Sequence, residues 1–275
     1  MKLSIIIVNY NTSGDLHACL ASLENYESPD IEIIVIDNAS KDDSVRMVRQ
    51  NHPGVVLHPL RKNLGFSKAN NLGSEQASGE FLVFLNPDTE LCEPIFEKLL
   101  HVLAAHQDVG IIGPRLVFED GTLQMSTGAF PGIWSELRMR RLSRKFDKQD
   151  KRLLRRLESR FNFTQEVDWV TGACMMLKKE LFESIGRFDE TIFMFFEDVD
   201  LCRRVHNAGL KILYFPEAKL IHKRGSSYAQ RNAEIDKIYR QSQLTYYSKH
   251  NAFCSNLALK WYLKYIKRFN VKNES

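Results

Sequence analysis

The sequence predicts an α/β protein with a doubly wound, mostly parallel sheet, a basic insertion and a helical carboxyl-terminal tail. Short β-branched or aromatic runs alternate with helix-length segments from residue 3 to about 118. This alternation is typical of parallel strands that are covered by helices on both faces. A charged stretch at 132–163 interrupts the pattern, and beyond residue 224 lysines are interleaved with aromatic residues.

The first half is expected to contain five strands separated by four helices. The strands are predicted at Leu3–Val8, Ile31–Ile36, Val55–Leu57, Phe81–Leu85 and Val109–Ile112, and the helices near 14–26, 42–51, 67–77 and 93–106. Pro94 lies close to the first turn of the last helix, where its missing N–H removes no hydrogen bond. The β-branched and apolar composition of the strands indicates a buried sheet.

After the charged stretch the second half returns to strands and short helices. Strands are predicted at Val167–Thr171, Cys174–Leu177, 211–215 and 219–222, with helices near 179–185 and 198–208. No repeat and no low-complexity linker divides the chain. We therefore expect one domain over 1–225, followed by a basic helical extension over 226–275.

The net charge of +4 hides an uneven distribution of charge along the chain. Residues 132–160 carry 11 Lys or Arg against 4 Asp or Glu, and residues 221–275 carry 11 against 3. The rest of the chain therefore has a net charge of −11. Because this body is acidic and contains no recognised binding module, a nucleic-acid partner is not expected.

Apolar runs and cysteines give expectations about location. No apolar stretch approaches the about 20 residues that span a bilayer. The amino terminus lacks a small-residue cleavage site, so it predicts a first strand rather than a signal peptide, and the protein is expected to be cytoplasmic. The five cysteines form no C-x-x-C pair, which favours reduced and mostly buried thiols over a disulfide framework or a zinc site.

Polar side chains follow three of the expected strands. Asn9 and Asn11 follow the first strand, Asp37 the second, and Asn86 and Asp88 the fourth. Neighbouring parallel strands lie about 4.8 Å apart, so these side chains can converge on one ligand. Asp37 would accept hydrogen bonds from a ribose or a pyrimidine, and Asp88 would hold a divalent cation against a diphosphate. Alternatively, Asp37 caps the next helix and Asp88 forms only a Pro-Asp turn.

The loop at 61–71 combines a glycine with the start of a helix. Gly65 permits close backbone approach to a ligand, and the free N–H groups of the helix that follows favour an anion. Lys62 or Lys68 would help to neutralise a diphosphate. In the alternative interpretation Gly65 makes only a tight turn and both lysines are solvated.

The second half contributes carboxylates, a glycine and a histidine. Glu197 and Asp198 follow an aromatic run, which would raise the pKa of a partly desolvated carboxylate, as suits a general base; capping of the following helix is the alternative. Asp198 is our choice for that base. Gly172 lies between two strands, where a missing side chain lets a ligand approach. His222 ends a strand, and a lone histidine is more often a surface or packing residue than a metal ligand.

These motifs together resemble the inverting glycosyltransferases of family 2, in particular the bacterial rhamnosyltransferase-like group. The motifs are Ile5-Ile6-Ile7-Val8-Asn9-Tyr10-Asn11, Asp37-Asn38-Ala39-Ser40, Asn63-Leu64-Gly65-Phe66 with Ala69-Asn70-Asn71, Asn86-Pro87-Asp88-Thr89, Thr171-Gly172-Ala173, and Glu197-Asp198-Val199-Asp200-Leu201 with Arg204. They cover about residues 3–225 in the expected order. Six motifs in register are far more specific than any one of them.

The resemblance implies a GT-A fold with a nucleotide-sugar-binding half over 1–118, the basic insertion at 132–163, and an acceptor and catalytic half over 164–225. The donor-binding positions are then Asn9, Asn11, Asp37, Asn63, Gly65, Asn70, Asn86 and Gly172. Asn86 stands where the family has the first acid of its Asp-x-Asp motif. The contact with the nucleotide is therefore expected to depend more on Asp37.

The resemblance also implies the catalytic and metal-binding residues. Glu197 and Asp198 match the Glu-Asp pair of the family, with Asp198 as the base. Asp88 inherits the contact with Mg²⁺ or Mn²⁺ and the diphosphate. His222 most nearly matches the family's carboxyl-side histidine, a further metal or phosphate contact.

The implied reaction is inverting transfer of a sugar, with rhamnose favoured, from a dTDP- or UDP-linked donor to a glycan or lipid-linked acceptor in cell-surface polysaccharide synthesis. A non-catalytic nucleotide-sugar-binding subunit is the alternative, although Asp88 and Asp198 are both present. A nucleotidyltransferase would show a glycine-rich basic loop after the first strand, and 9–14 carries no Lys or Arg. The two basic segments are either solvated surface or a site that docks the enzyme peripherally on the anionic inner face of the cell membrane.

Overall fold

A computed structural model describes residues 2–26, 30–136, 138, 151–223, 233–252, 254–259, 261 and 263. The first half forms β1 Leu3–Asn9, α1 Ser13–Glu24, β2 Ile31–Asp37, α2 Ser44–Asn51, β3 Val56–Pro59, α3 Phe66–Gln76, β4 Phe81–Leu85, β5 Thr89–Leu91, α4 Ile95–Ala105 and β6 Val109–Val117. The predicted alternation of strands and helices is thus confirmed, and the short strand β5 is an addition to it.

The second half contributes further strands and helices, including one long strand. They are β7 Thr127–Gly128, α5 Lys151–Arg160, β8 Gln165–Val167, β9 Trp169–Val170, β10 Cys174–Lys178, α6 Lys179–Ser184, α7 Glu197–Asn207, β11 Lys211–His222 and α8 Ala233–His250. The two strands predicted at 211–215 and 219–222 are one strand. Its pairing with β6 shifts register between Phe215 and Lys219, where Pro216 supplies no N–H to the ladder.

Nine strands form the central sheet in the order β3-β2-β1-β4-β10-β6-β11-β5, with β8 also paired to β11. β1 is parallel to β2 and β4, β2 to β3, and β6 to β11. β10 is antiparallel to both of its neighbours, β4 and β6. Six of the nine strands therefore run in one direction, as predicted for a mostly parallel sheet. The reversed strands are β10, near its centre, and the short β5 and β8, which are both antiparallel to β11.

The core lies in two layers, one on each face of the sheet. Alternate residues of β1 point to opposite faces, so Ile5 and Ile7 join the layer under α1, α2 and α4, whereas Ile6 joins the layer under α3, α6 and α7. All three isoleucines are fully buried. This arrangement confirms the doubly wound fold.

The two basic segments are partly described. Helix α5 of the insertion packs Leu157 against Phe161 and Tyr214, and Glu158 forms an ion pair with the buried Arg115 of β6. Helix α8 buries Tyr246 and Tyr247 against α7 and the loop before it. Residues 137 and 139–150 of the insertion, and most of the predicted tail beyond 259, lie outside the described residues. Within the described ranges, no helix is both long enough and apolar enough to cross a membrane.

Candidate functional site

The ends of β1 and β2 are joined by a network of buried polar groups. Asn9 Nδ2 donates to Asp37 Oδ2 at 2.9 Å and to Ser40 Oγ at 3.1 Å. The other carboxylate oxygen, Asp37 Oδ1, accepts the Ser40 backbone N–H at 3.0 Å. Asp37 is 2% exposed. The helix that follows begins after Asp43 instead, so Asp37 orders the loop at the strand end rather than capping α2.

A second set of hydrogen bonds connects this network to the loop before α3. Asn38 Nδ2 donates to Asn63 Oδ1 at 2.9 Å, and Asn38 Oδ1 accepts the Leu64 N–H at 2.7 Å. Asn11 Oδ1 accepts the Lys41 N–H at 2.7 Å. The predicted donor-binding residues Asn9, Asn11, Asp37 and Asn63 are therefore brought together at one edge of the sheet.

Gly65 makes its close contact with the chain itself. Its φ is +82°, and a Cβ at this position would lie 2.5 Å from the Phe193 carbonyl oxygen. Phe66 N donates to that same oxygen at 2.7 Å. Gly65 thus lets the donor-side loop pack against the segment that precedes the catalytic acids. Lys68, in the first turn of α3, forms an exposed ion pair with Glu190.

Asn70 lies inside α3 and is 1% exposed. Its Nδ2 donates to the Phe66 carbonyl at 3.0 Å, one turn earlier in the same helix. The neighbouring Asn71 donates to the Phe188 carbonyl at 2.9 Å and so joins α3 to the second half of the chain. The donor-binding role of Asn70 stays a prediction, and the contacts made here are structural.

The ends of β4 and β10 connect the predicted metal acid to the predicted base. Asn86 N donates to the Ala173 carbonyl at 2.9 Å. One residue before Ala173, the Gly172 N–H donates to Asp198 Oδ2 at 2.8 Å. Asp88 is two residues beyond Asn86, so both carboxylates lie at the same edge of the sheet. A Cβ on Gly172 would make ordinary contacts, 3.5 Å from Asp198 Cβ and 3.6 Å from Phe66.

Asp88 and His222 lie side by side at the end of β11. His222 Nε2 is 3.2 Å from Asp88 Oδ1. On the other edge of the ring, Nδ1 is 2.5 Å from Gln124 Oε1, while Gln124 Nε2 donates to the His222 carbonyl at 3.1 Å. Because the amide nitrogen of Gln124 is used in this way, its oxygen accepts from Nδ1–H. Nε2 is then the ring nitrogen that lies beside Asp88, an orientation that suits an imidazole that binds a metal ion together with that carboxylate.

The surroundings of Asp88 are acidic. Burial and the Asp88 carboxylate both raise the pKa of Asp15, with burial the larger cause. Lys223 forms an ion pair with Glu90, which raises the pKa of Lys223. Among the described residues, no group of three or more His, Cys, Asp or Glu side chains is arranged to hold a metal ion. The protein would therefore supply two ligands, Asp88 and His222, and a bound diphosphate could supply others.

Glu197 and Asp198 begin helix α7 in a desolvated environment. Burial raises the pKa of both carboxyl groups, and the neighbouring Asp198 raises the pKa of Glu197 further. Hydrogen bonds from the N–H groups of Gly172 and Val199 to Asp198 oppose that rise. Glu197 Oε2 is buried without a hydrogen-bond partner. Asp198 is therefore the member of the pair better able to carry a negative charge, and Glu197 the better able to stay protonated.

Left-handed backbone is concentrated at these sites. Among the described residues, four of the five non-glycine residues with positive φ are at strand ends or immediately before α7, namely Asn11, Ala39, Phe195 and Phe196. Phe195 and Phe196 are consecutive, with φ of 69° and 68°. Such conformations cost free energy and persist only where the surroundings enforce them, which is common at active sites.

Asp200, the third acid of this motif, faces away from Asp198. It is fully buried, and its carboxylate accepts Arg204 Nε at 2.8 Å, Lys249 Nζ at 2.6 Å and His250 Nε2 at 2.7 Å. Although burial alone would raise its pKa, these partners, led by His250, hold it at about 2. Asp200 is a buried ionic contact between α7 and α8.

Sequence reasoning did not identify Gln124 or Tyr10. Gln124 orients His222 from 98 residues away, and only the alternation of polar and apolar residues around it marks a strand-like segment. Tyr10 is 45% exposed between Asn9 and Asn11. An exposed aromatic residue at a strand end was the available signal for a stacking surface.

Known families and proteins are similar to this chain over most of its length. The family model described as Glycosyl transferase family 2 matches residues 4–186. An N-acetylglucosaminyl-diphospho-decaprenol L-rhamnosyltransferase of Mycobacterium tuberculosis is 25% identical over 95% of this chain and 89% of its own length. The low-salt glycan biosynthesis hexosyltransferase Agl10 of Haloferax volcanii is 28% identical over 76% of this chain and 63% of its own length.

Solved structures resemble the fold at lower identity. A mannosyltransferase from Pyrobaculum calidifontis, in complex with GDP-Man and Mn²⁺, superposes with a TM-score of 0.59 at 19% identity, over 90% of this chain and 63% of that one. TarS 1–349 of S. aureus in complex with UDP gives 0.60 at 15% identity, over 90% and 72%. The predicted GT-A fold is confirmed by these likenesses.

Proposed function

Because the chain belongs to glycosyl transferase family 2, we propose that it is an inverting glycosyltransferase that acts on a nucleotide diphosphate sugar. The observation that carries the proposal is the pair of hydrogen bonds at the ends of β4 and β10. Asn86 N is bonded to Ala173, and Gly172 N is bonded to Asp198, 2.8 Å away. A cation-binding carboxylate and a basic carboxylate can therefore act on one bound donor.

Asp198 is the proposed base. It removes the proton from an acceptor hydroxyl, and the oxygen attacks the anomeric carbon from the face opposite the departing nucleotide, which inverts that centre. A raised pKa strengthens Asp198 as a proton acceptor, while the hydrogen bond from Gly172 fixes the direction in which it points. Burial also raises the pKa of the neighbouring Glu197, which favours its neutral form and so lowers the repulsion between the two carboxyl groups.

Asp88 and His222 are the proposed ligands of Mg²⁺ or Mn²⁺. The donor set fits such an ion, since it combines a carboxylate oxygen with an imidazole nitrogen that Gln124 orients. The contribution of the bound cation would be to neutralise the charge that develops on the leaving diphosphate.

The nucleoside is proposed to bind where β1 and β2 end. Asn9, Asn11, Asp37 and Asn63 form a connected polar edge there, and Tyr10 offers an exposed ring on which a base can stack. Gly65, Asn70, Asn86 and Gly172 complete the proposed donor-binding set.

The proposed donor is a dTDP- or UDP-linked sugar, with dTDP-rhamnose the first choice, and the proposed acceptor is a glycan or a lipid-linked saccharide. The mycobacterial relative, which is similar over 95% of this chain, is named as a rhamnosyltransferase that acts on a lipid diphosphate, and this supports rhamnose and a lipid diphosphate acceptor. Cell-surface polysaccharide synthesis is the process that such a reaction would serve.

A transfer assay tests the proposed function. The protein is incubated with Mn²⁺, a lipid-diphosphate N-acetylglucosamine and, in turn, dTDP-rhamnose, UDP-glucose and GDP-mannose, and the product's anomeric configuration is read by NMR. Transfer with inversion from one donor is expected. Retention of configuration would refute the inverting mechanism. Donor binding by thermal shift without any turnover would support the non-catalytic binding subunit instead.

Metal dependence is tested by the Asp88→Asn variant. We expect the wild-type melting temperature to rise with Mn²⁺ plus donor, because a ligand that binds only the native state stabilises it. Asp88→Asn should lose this rise and most turnover, and the conservative Asp120→Asn, in an exposed turn, should lose neither. Full turnover in EDTA would exclude a metal-dependent reaction.

The basic insertion is proposed to dock on an anionic membrane surface. Helix α5 turns Leu157 towards the core and leaves Arg152, Arg155, Arg156 and Arg160 exposed. Each such residue near an anionic membrane contributes about 1 kcal/mol. The wild type should float with phosphatidylserine-containing liposomes at low salt, and Arg155→Gln/Arg156→Gln should float less. No flotation of the wild type would exclude the proposal.

A further inference from the structure

Helix α8 contacts both the loop and the helix that carry the proposed catalytic acids. Ser242 Oγ donates to the Met194 carbonyl at 2.7 Å. At the carboxyl end of α8, Lys249 Nζ and His250 Nε2 lie 2.6 and 2.7 Å from the same oxygen of Asp200. The catalytic segment 194–200 is therefore held by α8 near its start and again near its end.

Aromatic rings fill the space between these two attachments. The Tyr239 ring lies 5.5 Å from that of Phe195 and 5.3 Å from that of Phe196, and the Tyr246 ring lies 5.6 Å from that of Phe196. Phe195 and Phe196 are the two consecutive left-handed residues. Because side chains of this kind do not favour that conformation, the contacts from α8 are what hold the loop in it.

The other oxygen of Asp200 pairs with Arg204 of the same helix, and Arg204 in turn connects α7 to the segment that follows α6. Arg204 donates from Nε to Asp200 Oδ2 at 2.8 Å, and its remaining nitrogens donate to the Ile185 carbonyl at 2.7 Å and the Arg187 carbonyl at 2.6 Å. One oxygen of Asp200 is thus bonded to Arg204, and the other lies against Lys249 and His250. Loss of the α8 partners would leave α7 attached through Arg204 but free to shift at its amino-terminal end.

We propose that Lys249 and His250 of α8 are positioning residues, which act through Asp200 to hold the Asp198 carboxylate in its reactive direction. This inference rests on the proposed function, because it assumes that Asp198 is the base. Asp198 and Asp200 are two residues apart on one helix, so a rotation of α7 that frees Asp200 also moves Asp198 away from the Gly172 N–H. The residues proposed to bind the nucleotide lie on β1, β2 and the loop before α3, and the hydrogen bonds described above join them to one another rather than to α8.

The test compares kcat and donor KM in Lys249→Met/His250→Leu, with dTDP-rhamnose and a lipid-diphosphate N-acetylglucosamine as substrates, or whichever donor the wild type uses in the panel above. A displacement of about 1 Å at a reacting group lowers rate about 100-fold. We expect kcat to fall by about that factor and donor KM to change less than about twofold. His250→Gln, whose amide can still donate to Asp200, should recover most of the rate lost in His250→Leu.

Amide hydrogen exchange gives a readout that needs no substrate. In Lys249→Met/His250→Leu the amides of 194–200 should exchange at least about tenfold faster, while those of β1 and β2 keep their protection. If the double variant fails to fold, Ser242→Ala removes only the bond to Met194 and should show the same pattern to a smaller degree. Val48→Ala, in the core under α2, is the matched control for lost stability.

Three results would overturn the inference. The first is wild-type kcat in the double variant. The second is a loss of kcat that Val48→Ala reproduces at the same melting temperature. The third is unchanged exchange at 194–200. Wild-type turnover in Asp198→Asn would instead refute the proposed function, so the two failures are distinguishable.

Discussion

The first two carboxylates of α7, those of Glu197 and Asp198, lie in an environment opposite to that of Asp200 in the same helix. At the amino terminus, burial raises the pKa of Asp198 and Glu197, and no cation lies among their hydrogen-bond partners in the described residues. Two residues on, the fully buried Asp200 lies against Arg204, Lys249 and the imidazole of His250, and its pKa is about 2. The same helix therefore presents one pair of acids suited to proton transfer and one acid suited to permanent charge.

Within four residues, the motif therefore combines acids proposed for catalysis with an acid that stabilises the fold. A general base needs a pKa near the working pH, and desolvation without a counter-ion supplies it. A structural ion pair needs the reverse, because a buried charge without a partner is strongly destabilising. Helix α8 provides two of the three partners of Asp200, Lys249 and His250, whereas the hydrogen bonds to Asp198 described above come from backbone N–H groups outside α8.

The largest expected effect is on turnover in Asp198→Asn. The amide cannot accept the proton of the acceptor hydroxyl, so kcat should fall by about 1,000-fold, within the range of general-base catalysis. Donor affinity, measured by thermal shift with the donor and Mn²⁺, should be nearly unchanged. Wild-type kcat in this variant would contradict the assignment of Asp198 as the base, and with it the proposed difference between Asp198 and Asp200.

Asp200→Asn should affect stability strongly at neutral pH. It leaves Arg204, Lys249 and His250 clustered without their anion, which costs about 3 kcal/mol. In the wild type the folded pKa of about 2 lies below the ordinary 3.8, so the stabilisation is complete above pH 4 and is lost as pH falls towards 2. Urea unfolding from pH 7 to pH 2 should show the difference between wild type and variant shrinking. A pH-independent difference would contradict this.

Glu197→Gln should show the opposite dependence on pH. Because its folded pKa is raised, ionised Glu197 destabilises the native state at high pH, and this penalty disappears as pH falls through the folded pKa towards the ordinary 4.5. The variant should gain about 1 kcal/mol at pH 8, a rise of about 2–4 °C in Tm, and nothing near pH 4. Calorimetry at both pH values measures it, and equal shifts at the two would count against a raised pKa.

The smallest effect is expected for Gly172→Ala. A Cβ there meets only ordinary contacts, 3.5 Å from Asp198 Cβ, and the N–H that orients Asp198 is kept. Stability should change by less than about 1 kcal/mol. Gly65→Ala, at a φ of +82° and 2.5 Å from the Phe193 oxygen, is the contrasting variant and should cost more. A large rise in donor KM for Gly172→Ala with unchanged stability would show that donor approaches Gly172 directly.

Much of the fold could be predicted because it depends on local patterns. Continuous apolar runs such as Phe81–Leu85 fix buried strands, and the intervening helices follow from their length and periodicity. The polar residues that come just after those runs, Asp37 and Asp88, were therefore predicted at the correct edge of the sheet. Their roles in donor and metal binding stay predictions.

The remainder depends on contacts between distant parts of the chain. Nothing near Cys174–Lys178 indicates that β10 runs antiparallel between β4 and β6, because an apolar strand carries no mark of its direction. Likewise, the partners of Asp200 lie 49 and 50 residues away in α8. The sequence predicted a basic tail with aromatic residues, but it could not show that Lys249 and His250 of that tail contact Asp200, two residues from the proposed base.

The distribution of the five thiols makes the attachment of α8 observable. Burial raises the pKa of Cys19 to about 12 and raises those of Cys174 and Cys202, so these sulfurs are poor nucleophiles at neutral pH. Cys92, just after β5, and Cys254, just after α8, are exposed. Maleimide dyes would therefore label these two positions in the native sequence. Energy transfer between them would report in real time whether the carboxyl-terminal helix stays docked during a catalytic cycle.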